Sequence, residues 1–154
     1  MSIRVLHLST YDSHGGAGRA AYALHKAMRA HGVDSHMRVA NSVTGDSSVT
    51  QGNQLHWMAA RNLDHALWGL QRSPVRGWRS PARFGSLSAK RINAQPVDVV
   101  NLHWVTDGFL SIEQIGAIRH PLVWSLYDLW PFSGTDHYGF DPTDSRRRYG
   151  FTYY

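Results

Sequence analysis

The chain has 154 residues and no cysteine, and hydrophobic residues make up 42% of it. This length and composition are typical of one globular domain, and the lack of cysteine excludes disulfide scaffolds, thiolate zinc sites and cysteine nucleophiles. No apolar run reaches the roughly 20 residues of a membrane-spanning helix, and the N-terminus has no signal-peptide pattern. We therefore expect a cytoplasmic protein.

The formal net charge is +5, and the basic residues are concentrated in the middle of the chain. No acidic residue lies between Asp64 and Asp98, whereas six basic residues do: Arg72, Arg76, Arg79, Arg83, Lys90 and Arg91. Such a block attracts anionic lipid headgroups, nucleic acid or phosphorylated substrates, and a solvated basic surface is the alternative.

The N-terminal segment has the pattern of a strand–helix–strand unit. The apolar run 3–8, "IRVLHL", predicts a strand buried on both faces of a parallel sheet. A glycine turn follows, and apolar residues at helical spacing predict a helix that ends near Gly32. Segment 34–40 predicts a second strand, and this order implies a right-handed parallel unit.

Two internal segments and the C-terminal tail have no regular pattern. Segment 41–54 is rich in Ser, Thr, Gly and Asn, and segment 72–86 is broken by prolines and glycines, so both predict loops. The tail, 139–154, has no helix that would close the domain, although a doubly wound sheet normally ends on one. We therefore expect the domain to be truncated.

Segment 55–71 predicts a helix with two distinct sides. Trp57 and Trp68 share a polar side with Arg61 and Asp64, and they need a loop or a partner to cover them. The apolar stripe expected to face the core consists of Leu55, Met58, Ala59, Leu63, Ala66, Leu67 and Leu70.

The second half of the chain predicts two more strands. A short helix is expected over 87–93, a strand over 97–104, a helix capped by Ser111, and a buried strand over 121–130. The expected fold class is therefore α/β, a Rossmann-like parallel sheet of at least four strands with flanking helices, formed by residues 1–154 as a single domain.

Three polar segments follow three of the predicted strands. They are the glycine turn, "HWVTDG" after strand 97–104, and "YDLWPFSGTDH" at the end of strand 121–130. Because ligands bind outside the carboxyl ends of the strands in an open parallel sheet, we expect these segments to form one site.

The glycine turn, "GAGRAA" from Gly16 to Ala21, matches the G-x-G-x-x-A pattern. Its glycines allow close approach of a ligand, and the helix N-terminus offers free N–H groups to an anion. No acidic residue follows about 20 positions later, which disfavours NAD, and no Gly-Lys-Ser/Thr follows, which excludes a Walker loop. A tight turn that only seats the helix on the sheet is the alternative.

Four residues at the strand ends are candidates for ligand contacts. His103 can donate to a sugar hydroxyl or phosphate, and Trp104 can stack on a sugar ring. Asp128 can accept from hydroxyls, orient His103, or cap the following turn. His103, Asp128 and His137 are the set that would meet if a metal were bound, but no metal-ligand spacing is present, so we expect no metal.

Three blocks together resemble the N-terminal half of GT-B glycosyltransferases of the family 4 type, and in particular the bacterial exopolysaccharide and lipopolysaccharide enzymes. The blocks are "LHLSTYDSHGGAGRAAYALHKAM", "VDVVNLHW" followed by "GFLSI", and "PLVWSLYDLWPFSGTDHY". The resemblance covers most of the chain, and 128–134, "DLWPFSG", is its most specific part.

The resemblance implies two Rossmann-like domains that face each other across a cleft. The N-terminal domain holds the acceptor, the C-terminal domain holds the nucleotide-sugar, and the anomeric configuration is retained without a metal or other cofactor. Gly15, Gly16 and Gly18 map near the donor diphosphate, and we add Arg19 because of its charge and position.

The sequence departs from the family pattern in two ways. Family members commonly have His where this chain has Tyr127, next to Asp128. The C-terminal nucleotide-sugar domain is absent from the 154 residues, so we expect the isolated chain to be inactive. His103, Tyr127 and Asp128 are the expected catalytic residues, and the expected substrate-binding residues are Gly15, Gly16, Gly18, Arg19, Trp104 and His137.

The expected function is therefore sugar transfer to a saccharide or lipid-linked acceptor in surface polysaccharide synthesis. The basic block, with Trp57 and Trp68, is expected to dock on an anionic membrane at its inner face. Two alternatives stay open: a non-catalytic phosphate- or sugar-binding α/β module, and a basic nucleic-acid-binding protein. No nucleic-acid-binding motif supports the second alternative.

Overall fold

The computed structural model describes residues 2–70 and 77–138, and it contains a five-stranded, all-parallel sheet flanked by helices. The strand order is β3-β2-β1-β4-β5, so the predicted Rossmann-like α/β fold is confirmed. In chain order the elements are β1 (Arg4–Tyr11), α1 (Gly15–Ala30), β2 (Asp34–Asn41), β3 (Val49–Gln51), α2 (Gln54–Leu70), α3 (Ala89–Asn93), β4 (Val99–Leu102), α4 (Ile112–Gly116), β5 (Leu122–Trp124) and α5 (Trp130–Ser133).

Strand β1 lies at the centre of the sheet, between β2 and β4. Leu6 is in register with His36 of β2 and with Val100 of β4. Both faces of β1 are buried, which explains its nearly continuous apolar sequence. The unit β1-α1-β2 is confirmed close to its predicted bounds.

Helices and loops cover the two faces of the sheet unequally. The main core lies on one face and includes Leu8, Leu102 and Phe109. A smaller core on the other face joins Ala21 of α1 to Met37 and Val39 of β2. The carboxyl ends of the strands stay accessible to a ligand between these layers.

Helix α2 faces the core with the opposite side from the one predicted. Trp57 and Asp64 are buried, whereas Leu55 is 76% exposed and Leu70 is 79% exposed. This side of α2 faces inward because the Asp64 carboxylate accepts hydrogen bonds from the backbone N–H groups of 82–84. Loops thus cover the tryptophan side, and the predicted core stripe is wrong.

The remaining predictions differ in detail. The predicted loop 41–54 contains β3. The sequence pattern did not predict this strand, because three residues in a polar stretch form a strand only by pairing with β2. The predicted buried strand 121–130 is β5 alone, and Leu122 and Val123 are exposed because β5 is an edge strand. The tail 139–154 lies outside the described residues.

Helix α4 begins after its predicted cap, and helix α3 begins two residues inside its predicted range. Ser88 caps α3. Ser111 caps α4, and a reciprocal hydrogen bond from Ser111 N–H to the side chain of Gln114 completes a capping box. The helix predicted over 87–93 is therefore confirmed from Ala89 onward.

Gly108 allows the loop after β4 to pack against α2. Its φ is +78°, and a methyl group there would lie 2.4 Å from the backbone nitrogen of Arg61. We expect Gly108→Ala to lower the free energy of unfolding by about 2–4 kcal/mol, measured by urea denaturation. Gly69 of α2 faces open space, so Gly69→Ala should instead raise it by about 0.5–1 kcal/mol. Equal stability of Gly108→Ala and wild type would contradict this packing.

Candidate functional site

A cavity of about 470 Å³ opens at the carboxyl ends of the strands. We call it the cleft. The glycine turn, the loop after β4 and the segment after β5 all contribute to its wall. The structure therefore brings together the three segments that the sequence predicted to converge. Predicted site residues that line the cleft are Gly15, Gly16, Gly18, Trp104, Tyr127, Asp128 and His137.

The N-terminus of α1 is uncapped where it meets the cleft. His14 occupies the N-cap position without a side-chain cap, and the first turn contains no acidic residue. Gly15 has a φ of +67°, and Gly16 faces open space, whereas a methyl group added at Gly18 would lie 3.1 Å from the Tyr11 carbonyl oxygen. The first-turn N–H groups have no partner within the helix, so this wall of the cleft suits an anion.

Asp12 anchors the glycine turn to the loop after β2. Its buried carboxylate accepts hydrogen bonds from Ser42, Val43 and Thr44. Burial on its own raises the pKa of Asp12, but the hydrogen bonds from Ser42 and Thr44 outweigh it, so the pKa lies below its ordinary value. The turn is thereby held in place before any ligand binds.

Arg19 does not contribute to the cleft. Its side chain is exposed and turns back along α1, where Nε donates to the Gly15 carbonyl oxygen at 3.2 Å. The guanidinium is therefore placed outside the cavity that it was predicted to line.

Asp128 is held by three donors. Its Oδ2 accepts from the Trp104 indole N–H at 2.9 Å and contacts His137 Nδ1, and its Oδ1 accepts from the Trp130 backbone N–H. The Asp128 side chain is only 8% exposed. Asp128 thus caps the turn and also forms part of the cleft wall. Its imidazole partner is His137, so the predicted orienting contact with His103 is wrong.

His137 links Asp128 to Ser80. Its Nε2 lies 2.8 Å from the Ser80 hydroxyl, which gives the Ser-His-Asp order of a hydrolase triad. Ser80 is buried, however, and it does not line the cleft. A nucleophile must reach its substrate, so Ser80 is not placed to act as one. Its contact with His137 instead helps to position His137 and Asp128.

His103 lies behind the cleft wall. It is buried and does not line the cavity. His103 Nδ1 is 3.0 Å from the hydroxyl of Tyr127, and His103 Nε2 is 2.8 Å from Nδ1 of His7. His103 is therefore not placed to contact a ligand in the cleft directly, contrary to the prediction. It contacts Tyr127, which lines the cleft.

The two imidazoles form a buried, neutral pair. Burial lowers the pKa of His103 to about 4. Burial, together with the positive charges that His103 and His25 would carry, lowers the pKa of His7 to about 3. Burial also raises the pKa of Tyr127. Tyr127 thus presents a neutral hydroxyl to the cleft, and this hydroxyl donates or accepts depending on the imidazole tautomers.

Asp107 is a site residue that the sequence analysis did not single out. Its buried carboxylate accepts from the hydroxyl of Tyr11 at 2.7 Å and from Arg61 Nε at 3.1 Å, and it lies 2.8 Å from His65 Nε2. Its φ is +59°, a conformation that non-glycine residues adopt at some energetic cost. The "DG" pair after "HWVT" was the available signal, since Asp-Gly favours such backbone.

Part of the predicted membrane-docking surface is engaged elsewhere. Arg79 is buried and forms an ion pair with Asp136 at 2.8 Å, and Arg83 pairs with Glu113. Trp57 is buried and donates to the carbonyl oxygen of Asp107. Arg79 and Trp57 are therefore unable to contact a membrane, whereas Lys90 and Arg91 are exposed. Arg72 and Arg76 lie outside the described residues.

Within residues 2–70 and 77–138, no three His, Asp or Glu side chains are grouped so that they could hold a metal ion. No helix in the same part of the chain is long and apolar enough to cross a membrane. Comparisons with known protein families, curated proteins and solved structures found no match for the chain. The cleft is therefore the basis for a functional assignment.

The buried imidazoles predict a specific pH dependence of stability. Their pKa values in the folded state, about 3 for His7 and about 4 for His103, lie below the ordinary value of about 6.5. Between pH 6.5 and 4 the unfolded chain binds more protons, so the free energy of unfolding falls as the pH falls. Each imidazole contributes a slope of about 1.4 kcal/mol per pH unit.

We therefore expect His7→Leu to reduce this acid-side slope by about one proton's contribution, about 1.4 kcal/mol per pH unit. Urea unfolding at several pH values between 6.5 and 4.5 measures the slope. His56→Gln, which removes an exposed imidazole of α2, is the matched control. Parallel curves for wild type and His7→Leu would rule out the buried neutral pair.

Proposed function

We propose that this chain is the acceptor-side domain of a retaining GT-B glycosyltransferase of the family 4 type. The observation that carries the proposal is the composition of the cleft. An uncapped helix N-terminus forms one part of its wall, and Trp104, Tyr127 and Asp128 form another. The sequence blocks that resemble this family are the ones that supply these groups.

The helix end of the cleft suits the diphosphate of a nucleotide-sugar. The first-turn N–H groups of α1 and the positive end of its dipole attract negative charge. The nearby carboxylate of Asp107 is paired with Arg61 and contacts His65, so it does not oppose an anion. As the sugar leaves, these N–H groups would stabilise the growing charge on the diphosphate.

Another part of the cleft wall suits sugars. Trp104 offers an aromatic face, and it is itself stacked against Tyr11 at a centroid distance of 6.0 Å. Tyr127 offers a hydroxyl that contacts His103, and His103 in turn contacts His7. Tyr127 therefore serves as a neutral hydrogen-bonding group for a sugar hydroxyl, at the position where family members commonly have His.

The resemblance assigns the rest of the donor site to a second domain. In such enzymes the nucleotide and the donor sugar are bound from across the cleft, and no metal takes part. We therefore expect the isolated chain to bind nucleotide-sugars at the α1 end without turning them over.

A non-catalytic module that binds phosphate or sugar is the second candidate. One observation favours it: both oxygens of Asp128 are engaged by Trp104, Trp130 and His137. A carboxylate with both oxygens engaged can hold the cleft wall in position without taking part in a reaction. Sugar transfer by the chain together with a nucleotide-sugar-binding partner domain would favour the enzyme, and specific binding without transfer in that mixture would favour the module.

Gly16→Asp tests the proposed anion end of the cleft. The new carboxylate would compete for the free N–H groups, so we expect affinity for pyrophosphate and nucleotide-sugars to fall about tenfold or more. Gly16 faces open space, and an acidic residue in the first turn stabilises a helix by about 0.3–1 kcal/mol. The melting temperature should therefore be unchanged or higher.

Isothermal titration calorimetry with pyrophosphate and a panel of nucleotide-sugars provides the measurement. Ala20→Asp is the matched control, because it adds the same charge to an exposed position of α1 that does not line the cleft. If Gly16→Asp binds these ligands as tightly as Ala20→Asp does, the proposed diphosphate position is wrong.

A further inference from the structure

A second cavity, of about 430 Å³, lies on the sheet face where α3 approaches β1 and β2. It shares no lining residue with the cleft. Leu6, Leu87 and Ile92 provide apolar wall, while Arg38 and Arg91 provide two guanidinium groups. The function proposed above uses neither arginine.

Arg38 is positioned by the middle of β2. It is in register with Leu8 of β1 and Thr50 of β3, which places its side chain on the face of the sheet that carries the main core. Its Nε is buried and has no hydrogen-bond partner among residues 2–70 and 77–138. A buried donor without a partner destabilises a folded protein, and a charged one does so more strongly.

Arg91 adds a second positive charge to the same cavity. It projects from α3, and no ion pair or side-chain hydrogen bond engages its guanidinium within the described part of the chain. Burial lowers the pKa of Arg38, and the charge of Arg91 lowers it further. Two like charges placed together without compensation repel each other.

The acidic residue that lines this cavity does not compensate them. Asp34 accepts from Arg4 Nε at 2.8 Å and contacts His36 Nε2 at 2.8 Å, so its carboxylate is already engaged by two basic neighbours. Arg4 is further held by the Pro96 carbonyl oxygen. Of the arginines that line the cavity, Arg38 and Arg91 are thus the two left without an acceptor in the described residues.

We infer that this cavity is a second anion site, which binds a phosphate-bearing ligand between the guanidinium groups of Arg38 and Arg91. Planar guanidinium groups bind phosphate through paired hydrogen bonds, and the acceptor oxygens would satisfy the Arg38 donor. The cavity is larger than one phosphate group. The part of the ligand that carries the phosphate would therefore lie against the apolar wall. The site does not depend on the function proposed for the cleft.

Arg38→Met distinguishes a ligand-binding role of Arg38 from a purely structural one, because the two roles predict different effects on the melting temperature. If the side chain served only to cover the core with its stem, Arg38→Met would be neutral or destabilising. If the guanidinium is held for a ligand, Arg38→Met removes a partly buried charge whose Nε has no acceptor among the described residues, and it raises the melting temperature of the free protein. The same substitution then abolishes stabilisation by phosphate.

The test compares Arg38→Met and Arg91→Met with Lys90→Met. Lys90 is the matched control, since it is the neighbour of Arg91 on α3, loses the same charge and does not line the cavity. All variants are prepared in the Gly16→Asp background, which blocks the proposed anion end of the cleft. Inorganic phosphate and glycerol phosphate are titrated by calorimetry and by thermal melting.

We expect both ligands to bind the background protein and the Lys90→Met variant alike. Both arginine variants should lose about tenfold or more in affinity, and Arg38→Met should melt higher than its background without ligand. Equal phosphate affinity in all four proteins would overturn the inference, as would no phosphate binding by the background protein. An unchanged or lower melting temperature of Arg38→Met without ligand would also overturn it.

Vesicles identify the source of the phosphate group. Arg38-dependent binding to phosphatidic acid vesicles, with none to phosphatidylcholine vesicles, assigns the site to a lipid headgroup. Arg38-dependent binding of glycerol phosphate without vesicle binding assigns it to a soluble phosphorylated ligand. Because the cleft is blocked throughout, loss of nucleotide-sugar binding at the cleft leaves the Arg38 comparison unaffected.

Discussion

The buried carboxylate of Asp107 joins the parts of the molecule that form the cleft. The carboxylate accepts hydrogen bonds from the Tyr11 hydroxyl of β1 and from the Arg61 guanidinium of α2. The backbone carbonyl oxygen of Asp107 accepts a hydrogen bond from the indole N–H of Trp57. Removing a carboxylate from water costs several kcal/mol unless donors replace the water. Those donors must therefore stay in place, which fixes α2 against the loop after β4.

This constraint explains why α2 turns its polar side inward. Asp64 and Arg61 find partners on the loops that flank the cleft, and the aliphatic side chains of the helix are left on the surface. Buried polar groups that are satisfied specify one arrangement more sharply than apolar contacts do. The cleft consequently has a rigid wall around Asp107.

Sequence patterns predicted the elements well and their environments less well. The unit β1-α1-β2 and the cap at Ser111 depend on local chemistry, which a single sequence displays. The inward side of α2 depends on partners far away in sequence, at 82–84 and at Asp107. Periodicity assigns the apolar stripe to the core because it contains no information on such partners.

The same distinction holds for the cleft. Convergence of the three strand-end segments follows from parallel topology alone, and the structure places them around one cavity. The pairing of Asp128 with His137, and the position of His103 behind Tyr127, depend on side-chain directions that spacing does not determine. Asp107 was missed because its role arises from contacts with β1 and α2 rather than from a motif.

The most direct test of this account is an NMR titration of the isotope-labelled chain with a panel of nucleotide-sugars. The account predicts that one of them shifts the backbone amide signals of Gly15, Gly16 and Ala17 together with the indole N–H signal of Trp104. These groups line one cleft and would sense the diphosphate and the sugar at once. Shifts that spare both groups across the whole panel would contradict the assignment of the cleft to sugar transfer.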